Sequence, residues 1–170
     1  LLCTFLDTSE RKRVEAALRS SEEKFAQAFR HTPDAVVITD KETGRFIEVN
    51  PAFERQFGWK SSETLGRTSL ELGLWADPND RQRMLEALSL GSLNELEVCL
   101  YSRDGSVSNN LLFGGEIELD GRTCLVLTVR DITQQRAQEQ ALKNSQERLN
   151  LALESADLGT WDWHIPSNML

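Results

Sequence analysis

The sequence predicts an α+β domain, a five-stranded antiparallel sheet with short helices on one face and a helix at either end. Three observations carry this. Two Asp-Gly pairs, Asp104-Gly105 and Asp120-Gly121, separate three β-rich runs, and Asp-Gly between such runs is the mark of a hairpin turn. The hydrophobic period changes from helix-like to two after Gly91. Two helix starts are written ahead of that change, Asn50-Pro51 and Asp77-Pro78, each a capping side chain followed by a proline at the first helical position.

In chain order, "DAVVITDKETGRFIEVN" holds two β runs, Val36–Thr39 and Phe46–Val49, around a Gly44 turn. Asn50 then caps a helix that carries Phe53 and Phe57 four apart on one face and stops at Gly58. "SSETLG" supplies another helical turn ended by Gly66. Asp77 caps the clearest helix, whose inner face is Met84, Leu85 and Leu88. In "ELEVCLY", Leu96, Val98 and Leu100 face one side, and Glu95, Glu97, Cys99 and Tyr101 the other. The Asp-Gly turns lead on to "SVSNNLLF" and "RTCLVLTV".

The ends of the chain repeat each other. With Asp7 set on Asp131, Leu1 meets Leu125, Thr4 meets Thr128, Glu15 meets Glu139, Ala17-Leu18 meets Ala141-Leu142, and Ser21 and Glu23 meet Ser145 and Glu147. Each copy reads as a β-rich run ("LLCTFL", "TCLVLTV"), an Asp with Glu10 or Gln134 three residues on, and a charged helix free of Gly and Pro. The Asp and its partner have capping-box spacing. A repeat this long exceeds solenoid periods of about 20–50 residues and suits whole domains strung on helical connectors. In the first helix Val14, Leu18, Phe25, Ala28 and Phe29 form an apolar stripe; Leu142, Leu149, Ala152 and Leu153 take matching places in the second. Such a stripe serves either as a coiled-coil seam between two copies or as a face docked on its own domain.

Composition narrows the function classes. Residues 32–135 hold ten Lys/Arg against seventeen Asp/Glu, and the chain carries a formal net charge of −8. An acidic body repels phosphate backbones, so no nucleic-acid partner is expected. Cys3, Cys99 and Cys124 are scattered without a CxxC pair and fit packed thiols in a reducing compartment. His31 and His164 stand far from any cysteine pair, which argues against zinc. No apolar run reaches the length of about 20 residues needed to span a membrane, so no direct membrane contact is expected. The chain begins Leu-Leu and reads as part of a longer polypeptide.

Taken together, these motifs resemble the PAS domain with its C-terminal PAC portion. "HTPDAVVITD" is similar to the family's first strand. "FIEVNPAFERQFGW" carries Asn50, Ala52, Phe53, Gly58 and Trp59 at the places of its N-x-A-F-x-x-x-x-G-[YFW] signature. "LGLWADPNDR" resembles the lead into its long helix, "SRDGS" its charged hairpin turn, and Asp131, Ile132 and Thr133 its closing Asp-Ile-Thr. The resemblance implies a PAS fold and the following division: residues 1–8 the tail of a preceding PAS domain, 9–31 a connector helix, 32–135 a complete PAS/PAC domain, 136–157 a second connector helix, and 158–170 the start of a following PAS domain. It also implies a cytoplasmic module of a bacterial sensor histidine kinase or cyclic-di-GMP enzyme. The output domain would lie outside this chain, and the module would form a homodimer through its connector helices and act with its neighbouring PAS domains.

Any ligand of such a fold would sit between sheet and helices, against Val37, Phe53, Phe57, Trp75, Met84, Leu85, Leu88, Leu112 and Leu127; apolar residues on inner faces more often fill a core than line a ligand site. Haem is disfavoured, because "DPNDRQRMLEALSL" offers no axial His and only Met84 as a soft donor. Covalent flavin is excluded, because "GRTSLELG" has Ser69 where photoactive flavin domains carry the reactive Cys. Non-covalent flavin, with Trp59 or Trp75 as stacking rings, and a small metabolite both stay open. Asn50 reads as a helix cap, and Asp131, Ile132 and Thr133 read as the hinge to the output helix. "GGEIE" at 114–118 lacks the second acid of a cyclase signature and reads as an irregular strand. His31 stands outside any phosphoacceptor pattern, and no nucleophile–base pair or phosphate loop occurs, so no enzyme is expected here.

Overall fold

The computed structural model describes residues 4–155. The first element, α1 (Thr4–His31), is followed by the hairpin β1 (Ala35–Asp40) and β2 (Phe46–Val49). Three helices come next, α2 (Pro51–Phe57), α3 (Ser61–Thr64) and α4 (Pro78–Ser89). The chain then forms β3 (Ser92–Tyr101), β4 (Val107–Leu119) and β5 (Arg122–Asp131), and α5 (Thr133–Ser155) closes the described residues. It divides into two compact units between Ile132 and Thr133. The second unit contributes one described element, α5.

In the first unit the five strands form one sheet in the order β2-β1-β5-β4-β3, with every neighbouring pair antiparallel. The last strand therefore lies in the middle, beside the first, with Ala35 opposite Val129 and Asp40 opposite Cys124. The turns follow from their residues. Asp120 and Gly121 both have positive φ, 50° and 73°, as the two-residue hairpin from β4 to β5 requires. Asp104 holds the β3–β4 turn by accepting from the Ser106 N–H (2.9 Å) and hydroxyl (2.7 Å).

Helix starts are as the sequence predicts. Asn50 accepts from the Phe53 N–H ahead of Pro51, and Asp77 accepts from the Asn79 N–H ahead of Pro78. Gly58 ends α2 in the left-handed region at φ 74°. The core lies between α2–α4 and the facing side of the sheet, with Phe53, Phe57, Leu112 and Leu127 among its buried members.

Two expectations change. Helix α1 covers Thr4–His31, so the described part of the β run expected in "LLCTFL", residues 4–6, and the hinge expected at Asp7 are helical. A short apolar run does not by itself distinguish strand from buried helix, and no Gly or Pro follows to break it. Helix α5 begins at Thr133 rather than 136. The irregular strand expected at "GGEIE" is present on one side: the register of β4 against β3 slips between Leu93 and Leu96, opposite Gly114 and Leu112, while against β5 it pairs residue for residue through Leu119. Gly114 permits this: a Cβ there would stand 2.2 Å from the Val126 carbonyl oxygen. Cys3, His164 and the segment 158–170 lie outside the described residues.

Candidate functional site

A cavity of about 210 Å³ lies between the sheet and the helices. Alternation along the strands supplies its sheet wall: Val37 and Thr39 from β1, Leu125, Leu127 and Val129 from β5, Leu112 from β4 and Leu100 from β3. Helix α2 contributes Phe53 and Phe57, whose ring centroids are 5.0 Å apart, and α4 contributes Arg81, Met84 and Leu85. The segment between α3 and α4 adds Ser69, Leu74 and Trp75. The β1–β2 turn, Lys41 to Gly44, borders the cavity where it meets solvent.

Eight of the nine sequence-predicted lining residues border this cavity, and Leu88 does not. Leu88 lies one helical turn beyond Met84, about 6 Å further along the axis, and at 2% exposure it is part of the solid core. Leu85, expected on the inner face of α4, is 36% exposed and stands at the rim. Sequence reasoning passed over Thr39, Leu125 and Val129, which the period-two pattern of β1 and β5 would have found, and Arg81, for which the sequence carries no signal.

Polar groups in the wall are few. The Trp75 indole Nε1 donates to Ser69 Oγ at 2.9 Å, and both residues border the cavity. The position where a flavin-binding thiol would stand thus holds a hydroxyl engaged with a neighbouring ring. No histidine lines the cavity, and among the described residues no cluster of three His, Cys, Asp or Glu is arranged for a metal. Trp59 lies outside the cavity, beneath the guanidinium groups of Arg103 (5.1 Å) and Arg67 (5.6 Å).

Asn50 does more than cap a helix. Its Oδ1 accepts from the N–H groups of Phe53 and Val36, both at 3.0 Å. Its Nδ2 donates to the carbonyls of Phe29 (3.2 Å) and Asp34 (3.0 Å). One amide therefore joins the end of α1, the start of β1 and the start of α2. Asn110, fully buried in β4, accepts from Gln56 Nε2 at 2.7 Å and donates to the Ser108 carbonyl and hydroxyl. It ties the pocket-bearing helix α2 to the sheet.

Asp131 is the last residue of β5, in register with Asn110. Buried Ile132 follows, its N–H donating to the Asn109 carbonyl at 2.8 Å, and Thr133 opens α5. Just before this exit, Arg130 donates through Nε and Nη2 to Asp34 Oδ2 at 3.0 and 2.9 Å. Around the site several carboxylates are held ionised to below their ordinary range. The Thr43 N–H and hydroxyl do this for Asp40, and the Ser61 N–H, helped by Lys60, does it for Glu54.

On α1 the apolar stripe is uncovered over most of its length: Val14, Leu18 and Phe25 are 63%, 59% and 59% exposed. Only the last turn meets the domain, where Phe29 is half-buried and stacks on Phe25 with centroids 6.0 Å apart.

Comparison with known proteins gives a consistent answer. A family profile described as "PAS domain" matches residues 23–89. The crystal structure of the PAS domain of an HTR-like protein from Haloarcula marismortui is 30% identical, with a TM-score of 0.59 over 71% of this chain and 99% of that one. The probable diguanylate cyclase DgcE of Escherichia coli K12 is 27% identical over 165 residues, which is 95% of this chain and 14% of that protein. The sensor protein FixL of Bradyrhizobium diazoefficiens is 28% identical over 157 residues, 85% of this chain and 30% of that protein. The chain thus spans less than a third of either curated relative.

Proposed function

This chain belongs to the PAS domain family, and on that premise we propose that it is a sensory module of a longer signalling protein, which binds a small molecule between sheet and helices and passes the change to an output domain through its flanking helices. The observation that carries the reading is the cavity. A relay with a filled core has no use for a space of about 210 Å³ in an interior otherwise close-packed. That volume lies below the range of about 300–1,000 Å³ usual for drug-sized ligands, which favours a metabolite smaller than a flavin nucleotide.

The route outward runs through the residues at the exit. Phe53, Phe57 and Gln56 share helix α2; Gln56 holds Asn110, and Asn110 lies opposite Asp131. An occupant that binds two packings of α2 unequally would shift their populations, and Asp131, Ile132 and Thr133 are where α5 would feel it. The relatives' names, a probable diguanylate cyclase and a sensor protein, support an output of the cyclic-di-GMP or sensor type beyond this chain, and the repeat at the two ends of the chain supports neighbouring PAS domains. A second copy of the chain is the partner proposed for the uncovered stripe of α1, in a cytoplasmic homodimer.

Visible absorption and native mass spectrometry of the purified chain test this together. The reading predicts a mass above that of the bare chain by one small molecule per subunit, and a dimer peak that grows with concentration. A bare mass, with no small molecule taken up from a metabolite extract, would leave a structural relay as the function.

A further inference from the structure

Arg81 stands apart among the charged groups around the cavity. It lies in the first turns of α4, is half-buried, and borders the cavity. Its Nη2 packs on the β1–β2 turn, 3.5 Å from where a Cβ at Gly44 would stand. Four carboxylates of the elements around the cavity have partners of their own. Asp40 accepts from Thr43, Asp80 pairs with Arg83 at 2.7 Å, Glu71 accepts from the Thr68 N–H, and Glu116 pairs with Lys41. Among the described residues no acceptor pairs with Arg81. Glu42 also borders the cavity, and it is exposed.

A guanidinium offers five N–H donors in a planar fork that suits a carboxylate. Set half-buried at the edge of an apolar space, it is a point where an anion would gain charge-assisted hydrogen bonds. Behind it the wall is Val37, Phe53, Met84, Leu112 and Leu127, with hydroxyls at Thr39 and Ser69 and a third at the rim, Thr43, which donates to Asp40. With one unpaired cation and the Glu42 carboxylate close by, the charge balance suits a monoanion better than a phosphate dianion.

We propose that the cavity takes a small monocarboxylate with an apolar body, its carboxylate held by Arg81 at the rim and its hydrocarbon part between Phe53, Met84 and Leu127. This rests on the reading of the cavity as a ligand site, and it adds the class of ligand.

The test is calorimetric titration of the full 170-residue chain with octanoate and with octanamide, its neutral counterpart of nearly the same shape. Octanoate is expected to bind about tenfold more tightly or better, a difference of about 1.4 kcal/mol. Arg81→Gln should abolish that preference while octanamide binds as before, which also shows that the variant folds. Arg81→Lys should keep part of it. Equal binding of the two probes to the unaltered chain, or an octanoate affinity indifferent to Arg81→Gln, would overturn the carboxylate assignment and leave a cavity for neutral ligands. Failure of both probes to bind would overturn the assignment and count against the ligand-site reading as well.

Discussion

Arg130 and Asp34 are far apart in sequence, yet two hydrogen bonds of 3.0 and 2.9 Å join them. Asp34 follows the incoming helix α1, and Arg130 precedes the residue that ends β5. The register of the central strands, with Ala35 opposite Val129, brings the two ends of the domain together, and the ion pair locks them. Because Arg130 is 55% exposed and Asp34 20%, solvent screens the pair. A double-mutant cycle of Asp34→Asn and Arg130→Gln, read by urea unfolding, should give a small coupling that shrinks further at high salt.

Asn50 carries a larger share of stability. Its side chain makes four hydrogen bonds to three elements, whereas Asp77 makes one at the start of α4. Asp77→Ala should cost about 1 kcal/mol, as the loss of a cap does. Asn50→Ala should cost about 2–4 kcal/mol, because it strands buried backbone groups of β1 and α1 as well. Denaturation midpoints of the two variants decide this, and equal costs would reduce Asn50 to a simple cap.

The adjacent glycines of β4 should behave oppositely. At Gly114 a Cβ meets the Val126 carbonyl at 2.2 Å and the cavity-lining Leu127 side chain at 2.7 Å; at Gly115 it meets nothing within 4 Å. Gly114→Ala is expected to destabilise by about 2 kcal/mol or more, since it forces β4 away from β5. Gly115→Ala should fall within about 0.5 kcal/mol of the parent. Thermal unfolding of the pair would show the contrast.

Most of the fold was legible because local chemistry and long-range order agree. The Asp-Gly turns, the Asn-Pro and Asp-Pro helix starts and the change of period at Gly91 each specify a local shape, and their sequence admits few sheets. The end at residues 4–8 misled because an apolar hexapeptide without a breaker suits helix as well as strand. The cavity was legible as a set of inward faces, but not in its extent. Leu88 has the same pattern as Met84 and differs only in how far along α4 it stands. Pairings across the sheet, such as Gln56 with Asn110 or Arg130 with Asp34, depend on register and leave no local trace.

Acid should loosen the loops around the site. Asp40, Glu54, Glu71 and Asp104 all have pKa values lowered from ordinary values of 3.8 for Asp and 4.5 for Glu, chiefly by hydrogen bonds from Thr43, Ser61, Thr68 and Ser106. The folded chain therefore binds fewer protons than the unfolded chain in this range, so stability is complete above the ordinary values and falls as they are titrated. Urea midpoints should be flat above about pH 6 and decline from about pH 5 downward. Asp40→Asn and Glu54→Gln should each flatten the decline; an unchanged slope in both would remove these carboxylates from the account.

The central claim is that filling the cavity is felt where β5 hands over to α5. The most direct measurement is hydrogen exchange at the Ile132 amide, which donates to Asn109 at 2.8 Å, followed by NMR with and without saturating octanoate. The account predicts that octanoate changes protection at Ile132 and at the Gln56–Asn110 junction, while amides in the α1 stripe around Val14 keep their rates. Octanoate bound in the cavity with protection at Ile132 unaltered would contradict it.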